Sequence, residues 1–110
     1  MGSGNVTSGG LTEALDFLII AFCRGFDARK RAIDEKSCSR RTVMEYEYIN
    51  RRLVDASREI VGDDYLIYIY EIGEKIGYAH SRVADICESD YKIKKKQVKM
   101  NIARKMHLLD

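Results

Sequence analysis

The chain has 110 residues, of which 45% are hydrophobic and 33% are charged, and its formal net charge at pH 7 is +2. These values exclude bulk disorder, and the length fits a single domain. The longest uncharged apolar run, Phe17 to Cys23, has seven residues. Because a membrane helix needs about 20, we expect no transmembrane segment. Three widely spaced cysteines argue against a disulfide framework, so we expect a cytoplasmic protein.

Apolar residues recur at steps of three and four along most of the chain, and proline is absent. The sequence therefore predicts an all-α fold: a compact bundle of four to five helices with a helix-turn-helix-like unit in the C-terminal half. Residues 1–10 contain four glycines and two serines and are expected to be a flexible, tag-like or disordered leader. Residues 11–110 then form a single helical domain.

The first helix is expected from Thr12 to Ile33, with the Thr12 hydroxyl capping its first turn. Its apolar side chains cover a wide arc, so it is also the expected contact surface of a homodimer. Gly25 is expected to loosen the helix.

The second helix is predicted from Ser39 or Arg40 to Gly62, where a glycine suits the backbone conformation that ends many helices. The third is predicted over residues 65–77. Residues 65–70 are rich in strand formers, which leaves a strand as an alternative, but the later spacing of apolar residues favours a helix that Gly77 terminates. Another helix is expected to begin at Ser81. Whether residues 81–109 form one helix or two stays open.

Residues 69–88 contain the pattern of two short helices that cross steeply. Gly73 is the expected small contact residue, and Gly77 is the expected turn residue with a positive φ angle. Four apolar residues are expected to pack the two helices together: Ile72, Ile76, Val83 and Ile86.

This stretch resembles the helix-turn-helix of DNA-binding regulators, especially the sigma-factor region-4 type and small phage and mobile-element DNA-binding proteins. The resemblance implies a transcription regulator that binds DNA as a homodimer. It also implies that the helix beginning at Ser81 enters the major groove, where side chains contact base edges. The base-reading candidates are His80, Ser81, Arg82 and Asp85.

Positive charge is concentrated at the C-terminal end of the chain. Residues 1–90 hold 12 basic and 16 acidic side chains, whereas residues 91–110 hold seven basic side chains and one acidic. Such asymmetry favours an anionic partner for the last segment. The candidates for contacts with DNA phosphates are Lys92, Lys94, Lys95, Lys96 and Lys99.

Two other functions compete with DNA binding. One is a helical protein-binding module, such as an inhibitor or adaptor, whose interface would contain Tyr46, Arg51 and Tyr68. The other is a binder of a small anionic nucleotide. Glycine-rich phosphate loops and closely paired Cys or His ligands do not occur in the sequence, so we expect neither a cofactor, nor a metal, nor enzymatic activity.

Overall fold

The computed structural model describes residues 11–109, and this part of the chain is a compact helical fold, which confirms the all-α prediction. Its helices are α1 (Glu13–Arg24), α2 (Phe26–Asp34), α3 (Arg40–Val61), α4 (Tyr65–Gly73) and α5 (Glu88–Lys105). Short 3₁₀ turns occupy Gly62–Asp64 and Tyr78–His80. The predicted leader, residues 1–10, lies outside the described residues.

Helix α3 lies at the centre of the fold and contacts the four other helices. Its inner face contributes Leu53 and Ala56 to a core in which both are fully buried. The other helices surround it with buried apolar side chains, which include Ile19, Cys23, Tyr68, Ile72, Tyr91, Val98 and Ile102. Within residues 11–109 we find no helix both long and apolar enough to cross a membrane.

The first predicted helix is divided in two at Gly25. The Thr12 hydroxyl accepts a hydrogen bond from the Leu15 N–H, so the predicted cap is confirmed. At Gly25 the Arg29 guanidinium folds back over the backbone and donates to the Phe22 carbonyl. A Cβ atom on Gly25 would lie 2.5 Å from Arg29 Nη1, so glycine provides the space for this contact. The residues that follow the break, Phe26–Asp34, form the separate helix α2.

Helix α3 agrees with its predicted bounds. Ser39 caps it, because the Ser39 hydroxyl accepts from the Thr42 N–H at 3.3 Å. Gly62 follows the helix with φ of 62°. A side chain at that φ is strained, which explains the glycine.

Residues 65–70 are helical, as the sequence favoured, but α4 ends at Gly73 rather than at Gly77. After α4 the Ile76 N–H donates to the Glu71 carbonyl at 2.9 Å, and Lys75, not a glycine, takes the left-handed conformation with φ of 57°. This is the Schellman arrangement that closes many helices. Gly77 has φ of −89°, so its predicted role as the positive-φ turn residue is wrong.

Gly73 is a point of close helix contact, as predicted, but its partner is α1. A Cβ atom on Gly73 would lie 2.7 Å from the Arg24 nitrogen and 2.9 Å from the Cys23 carbonyl carbon. Both are backbone atoms, so only a glycine lets the two helices approach this closely. The Arg24 Nε donates to the Gly73 carbonyl at 3.1 Å and reinforces the crossing.

The predicted helix over residues 81–88 is wrong, because residues 81–87 form an irregular segment. Ser81 has an extended backbone, and Asp85 has φ of 57°. The buried Glu71 carboxylate explains the difference, since its Oε2 accepts from the Arg82 N–H and its Oε1 from the Ser81 hydroxyl, both at 2.7 Å. These bonds hold the chain extended where a helix would begin. The helix-turn-helix unit therefore lacks its second helix.

Candidate nucleic-acid interface

Helix α5 carries the basic C-terminal segment. The sequence left open how residues 81–109 divide into helices, and in the structure one α-helix runs from Glu88 to Lys105. Tyr91, Val98 and Ile102 are buried on the side that faces the core. At 3.6 residues per turn, the opposite side carries Ile93, Gln97, Met100 and Arg104.

Three of the five candidate phosphate-contact lysines already bind groups within the fold. Lys95 donates to the Ile76 carbonyl at 2.7 Å, and Lys99 forms an ion pair of 2.9 Å with Asp16. Burial and the nearby Lys99 ammonium lower the pKa of Lys95. On the exposed surface, Lys92 forms an ion pair of 2.9 Å with Glu88, one helical turn earlier. Lys95 and Lys99 therefore stabilise the position of α5.

The other two candidates, Lys94 and Lys96, line an open groove of about 620 Å³ between α5 and the end of α3. Arg104, which was not among the predicted phosphate contacts, lines the same groove. None of these three cations has an ion-pair partner within residues 11–109. The groove is also lined by one polar and three apolar side chains, Gln97, Ile60, Ile93 and Met100.

Glu59 is the one acidic side chain among the described lining residues, and its charge is already compensated. Lys105 donates to Oε2 at 2.5 Å and Asn101 donates to Oε1 at 3.0 Å. These two bonds hold the pKa of Glu59 below its ordinary value. The remaining charge at the groove is therefore positive, and an anion that enters it meets three cations that are available for binding.

Ser81, Arg82 and Asp85 lie in the irregular segment, and His80 ends the 3₁₀ turn before it, so none of the four base-reading candidates lies on an α-helix. His80, Arg82 and Asp85 are exposed, whereas the Ser81 hydroxyl is half-buried and bound to Glu71. The Tyr78 hydroxyl donates to the Ile86 carbonyl at 2.8 Å and ties the two ends of the segment together. No helix presents these side chains to a major groove.

The predicted packing residues of the motif contact the core of the whole domain. Ile72 is fully buried, and Val83 and Ile86 are partly buried against the core. Ile76 is half-buried at the Schellman turn. These residues pack as apolar residues should, but they do not form the interface between two crossed helices.

Glu71, which was not among the predicted site residues, organises the segment between α4 and α5. Glu71 is fully buried, and besides Ser81 and Arg82 it accepts a hydrogen bond of 2.7 Å from the Tyr91 hydroxyl. Burial and this bond raise the pKa of Tyr91 far above its ordinary value, so the hydroxyl stays a donor. One feature of the sequence points to a buried role for Glu71: it is the single acidic residue within the apolar run of residues 65–72.

The alternative protein-binding surface is not assembled as predicted. Tyr68 is 1% exposed, and its ring lies 5.8 Å from the Tyr91 ring inside the core. Tyr46 is half-buried, and Arg51 is exposed on α3. Tyr68 cannot contact a partner in this fold, so this set of residues does not form an interface.

The cysteines differ from one another in their surroundings. Cys23 is a core residue, and burial raises the pKa of its thiol to about 12. Cys87 is exposed just before α5. Among residues 11–109 no group of three His, Cys, Asp or Glu side chains is placed to hold a metal ion.

Comparison with known proteins gives no relative from which a function could be transferred. No protein-family model, curated protein or solved structure matches the chain.

Proposed function

We propose that this protein binds nucleic acid through phosphate groups, using the groove beside α5. The observation that carries the proposal is the set of three unpaired cations, Lys94, Lys96 and Arg104, around one open groove whose acidic residue is already compensated. Lysine and arginine side chains provide affinity for the phosphate backbone of nucleic acids by releasing its condensed counterions.

This mode of binding is independent of base sequence. Phosphate contacts set affinity and position, whereas base-edge contacts in the grooves set sequence preference. The base-reading candidates lie on no helix, so the proposal assigns them no reading role. The expected ligand is a duplex of any sequence, bound with an affinity that depends strongly on salt.

The test replaces the three groove cations together by glutamine, as Lys94→Gln, Lys96→Gln and Arg104→Gln. We expect affinity for a fluorescently labelled random duplex to fall on the order of 1000-fold at about 50 mM salt, because three phosphate contacts are lost. Fluorescence anisotropy measures the change. All three side chains lie outside the core, so the variant should keep its helix content by circular dichroism.

A second triple variant provides the control, because it removes the same charge from a different helix. Lys30, Arg31 and Lys36 are exposed on or just after α2, and none has an ion-pair partner within residues 11–109. Their replacement by glutamine should change affinity by no more than about threefold, since distant charges are screened by salt. Equal losses in both triple variants would show an effect of net charge and contradict the groove assignment.

A further inference from the structure

The outward face of α3 exposes two large apolar side chains. Met44 is 65% exposed and Tyr48 is 44% exposed, one helical turn apart and away from the buried Leu53. The Arg52 guanidinium lies 4.8 Å from the centre of the Tyr48 ring. This stacking holds Arg52 on the same face, so the side chain loses little freedom when a partner binds there.

A groove of about 530 Å³ runs beside these side chains, lined by Met44, Glu47, Tyr48, Arg51 and Arg52. The first four have the spacing i, i+3, i+4 and i+7. Four residues at this spacing surround a hole on a helix surface, and in helix pairs such a hole receives a side chain from the facing helix. The face therefore has the shape of a helix-packing surface.

Each of two charged residues before Tyr48 has a residue of opposite charge at a similar distance after it. Arg41 stands seven residues before Tyr48 and Asp55 seven residues after it. Closer in, Glu45 stands three residues before and Arg52 four residues after. None of these four charged side chains forms an ion pair within residues 11–109.

We propose that a second copy of this chain packs antiparallel on this face, with Tyr48 of each protomer next to the two-fold axis. In an isologous antiparallel pair, a residue before the axis lies opposite a residue equally far after it in the partner. Arg41 then faces the partner's Asp55, and Glu45 lies beside the partner's Arg52. A parallel pair would place each charge beside its own copy, which disfavours that arrangement.

This assignment differs from the dimer face expected from the sequence, which was the first helix. Phe17 is 55% exposed on α1, but the Lys75 ammonium lies 5.7 Å from the centre of its ring. Arg24, the one cation of α1, donates to the Gly73 carbonyl and is held against its own protomer. The dimer proposal does not depend on nucleic-acid binding.

A charge swap tests the pairing directly. Sedimentation equilibrium of the full chain should show a dimer. Its Kd should rise about tenfold or more for either Arg41→Asp or Asp55→Arg, because each change places two like charges opposite each other across the axis. Combining the two changes restores opposite charges and should return the Kd to within about threefold of the original value. A double variant as weak as the single variants would contradict the pairing.

A second set of variants distinguishes the α3 face around Tyr48 from the α1 face around Phe17 as the dimer interface. Tyr48→Ser should make the protein monomeric, whereas Phe17→Ser and the control Tyr70→Ser, 50% exposed on α4, should leave the dimer intact. A monomer at all concentrations, or a dimer that responds to Phe17→Ser and not to Tyr48→Ser, would overturn the proposal. Circular dichroism checks folding, and because the substituted side chains are exposed, loss of helix is not expected.

Discussion

Replacing Gly73 by alanine should lower the free energy of unfolding by about 3 kcal/mol, a cost expected when a close-packed contact is overfilled. The added Cβ atom would lie 2.7 Å from the Arg24 nitrogen and 2.8 Å from the Arg24 Cα. Both atoms belong to the backbone of α1, so no side chain can rotate away to relieve the contact. The two helices must separate, which weakens the packing of Cys23 and Ile72. Urea unfolding followed by circular dichroism measures the change.

Gly77→Ala is the matched control. A Cβ atom there has no neighbour within 4 Å, and its φ of −89° suits any residue. We expect the free energy of unfolding to stay the same or to rise by about 0.5 kcal/mol, because alanine restricts the unfolded chain. In a helix-turn-helix with Gly77 at positive φ, alanine would instead be costly. A loss at Gly77 equal to the loss at Gly73 would contradict the structure of this turn.

Glu71→Leu should lower the free energy of unfolding by about 3 kcal/mol or more, because buried donors lose their acceptor. The Ser81 hydroxyl, the Arg82 N–H and the Tyr91 hydroxyl all donate to this carboxylate at 2.7 Å. Leucine fills much of the same volume but accepts none of these bonds. Glu71→Gln should cost less, since one amide oxygen still accepts and the hydroxyl groups can turn.

Loss of the hydrogen bonds to Glu71 should also make the segment between α4 and α5 mobile. Arg82 is exposed, so trypsin should cleave after it much faster in Glu71→Leu than in the unchanged protein. Glu74→Leu removes an exposed acid three residues later and should change stability by less than about 0.5 kcal/mol. If Glu71→Leu were as stable and as resistant to trypsin as Glu74→Leu, the carboxylate would not hold the segment.

Helix periodicity predicted α3 and the helical state of residues 65–70. Helix α3 occupies its predicted range, since Ser39 and Gly62 mark its ends and the stripe that includes Leu53 faces the core. The same reasoning favoured a helix over a strand for residues 65–70, as the structure has it. In these segments local signals and tertiary packing agree.

Two of the errors arose where the folded structure departs from the local sequence signal. Ser81 is a good helix cap in isolation, yet the Glu71 carboxylate, ten residues earlier, binds its hydroxyl. Glycine is the usual residue for a left-handed turn, yet Lys75 takes that conformation because α4 ends earlier than its apolar pattern suggested. Neither the hydrogen bond between Glu71 and Ser81 nor the early end of α4 can be derived from the spacing of apolar residues alone.

At the candidate site too, the sequence predicted one part of the structure and not the other. Composition identified the basic segment that becomes α5, but it did not separate Lys95 and Lys99, which bind Ile76 and Asp16, from the lysines at the groove. That separation depends on which side of α5 faces the core and on two acceptors far away in the sequence, the Ile76 carbonyl and the Asp16 carboxylate. Arg104, eight residues after Lys96, joins the groove because the helix brings it to the same side.

The most direct test of phosphate binding is the salt dependence of affinity for a random duplex. Three phosphate contacts predict that the logarithm of the association constant falls against the logarithm of salt concentration with a slope of about −2.7. The triple variant of Lys94, Lys96 and Arg104 should bring the slope close to zero. Absence of binding at low salt, an unchanged slope in that variant, or a mononucleotide that binds as tightly as the duplex would contradict nucleic-acid binding at the groove.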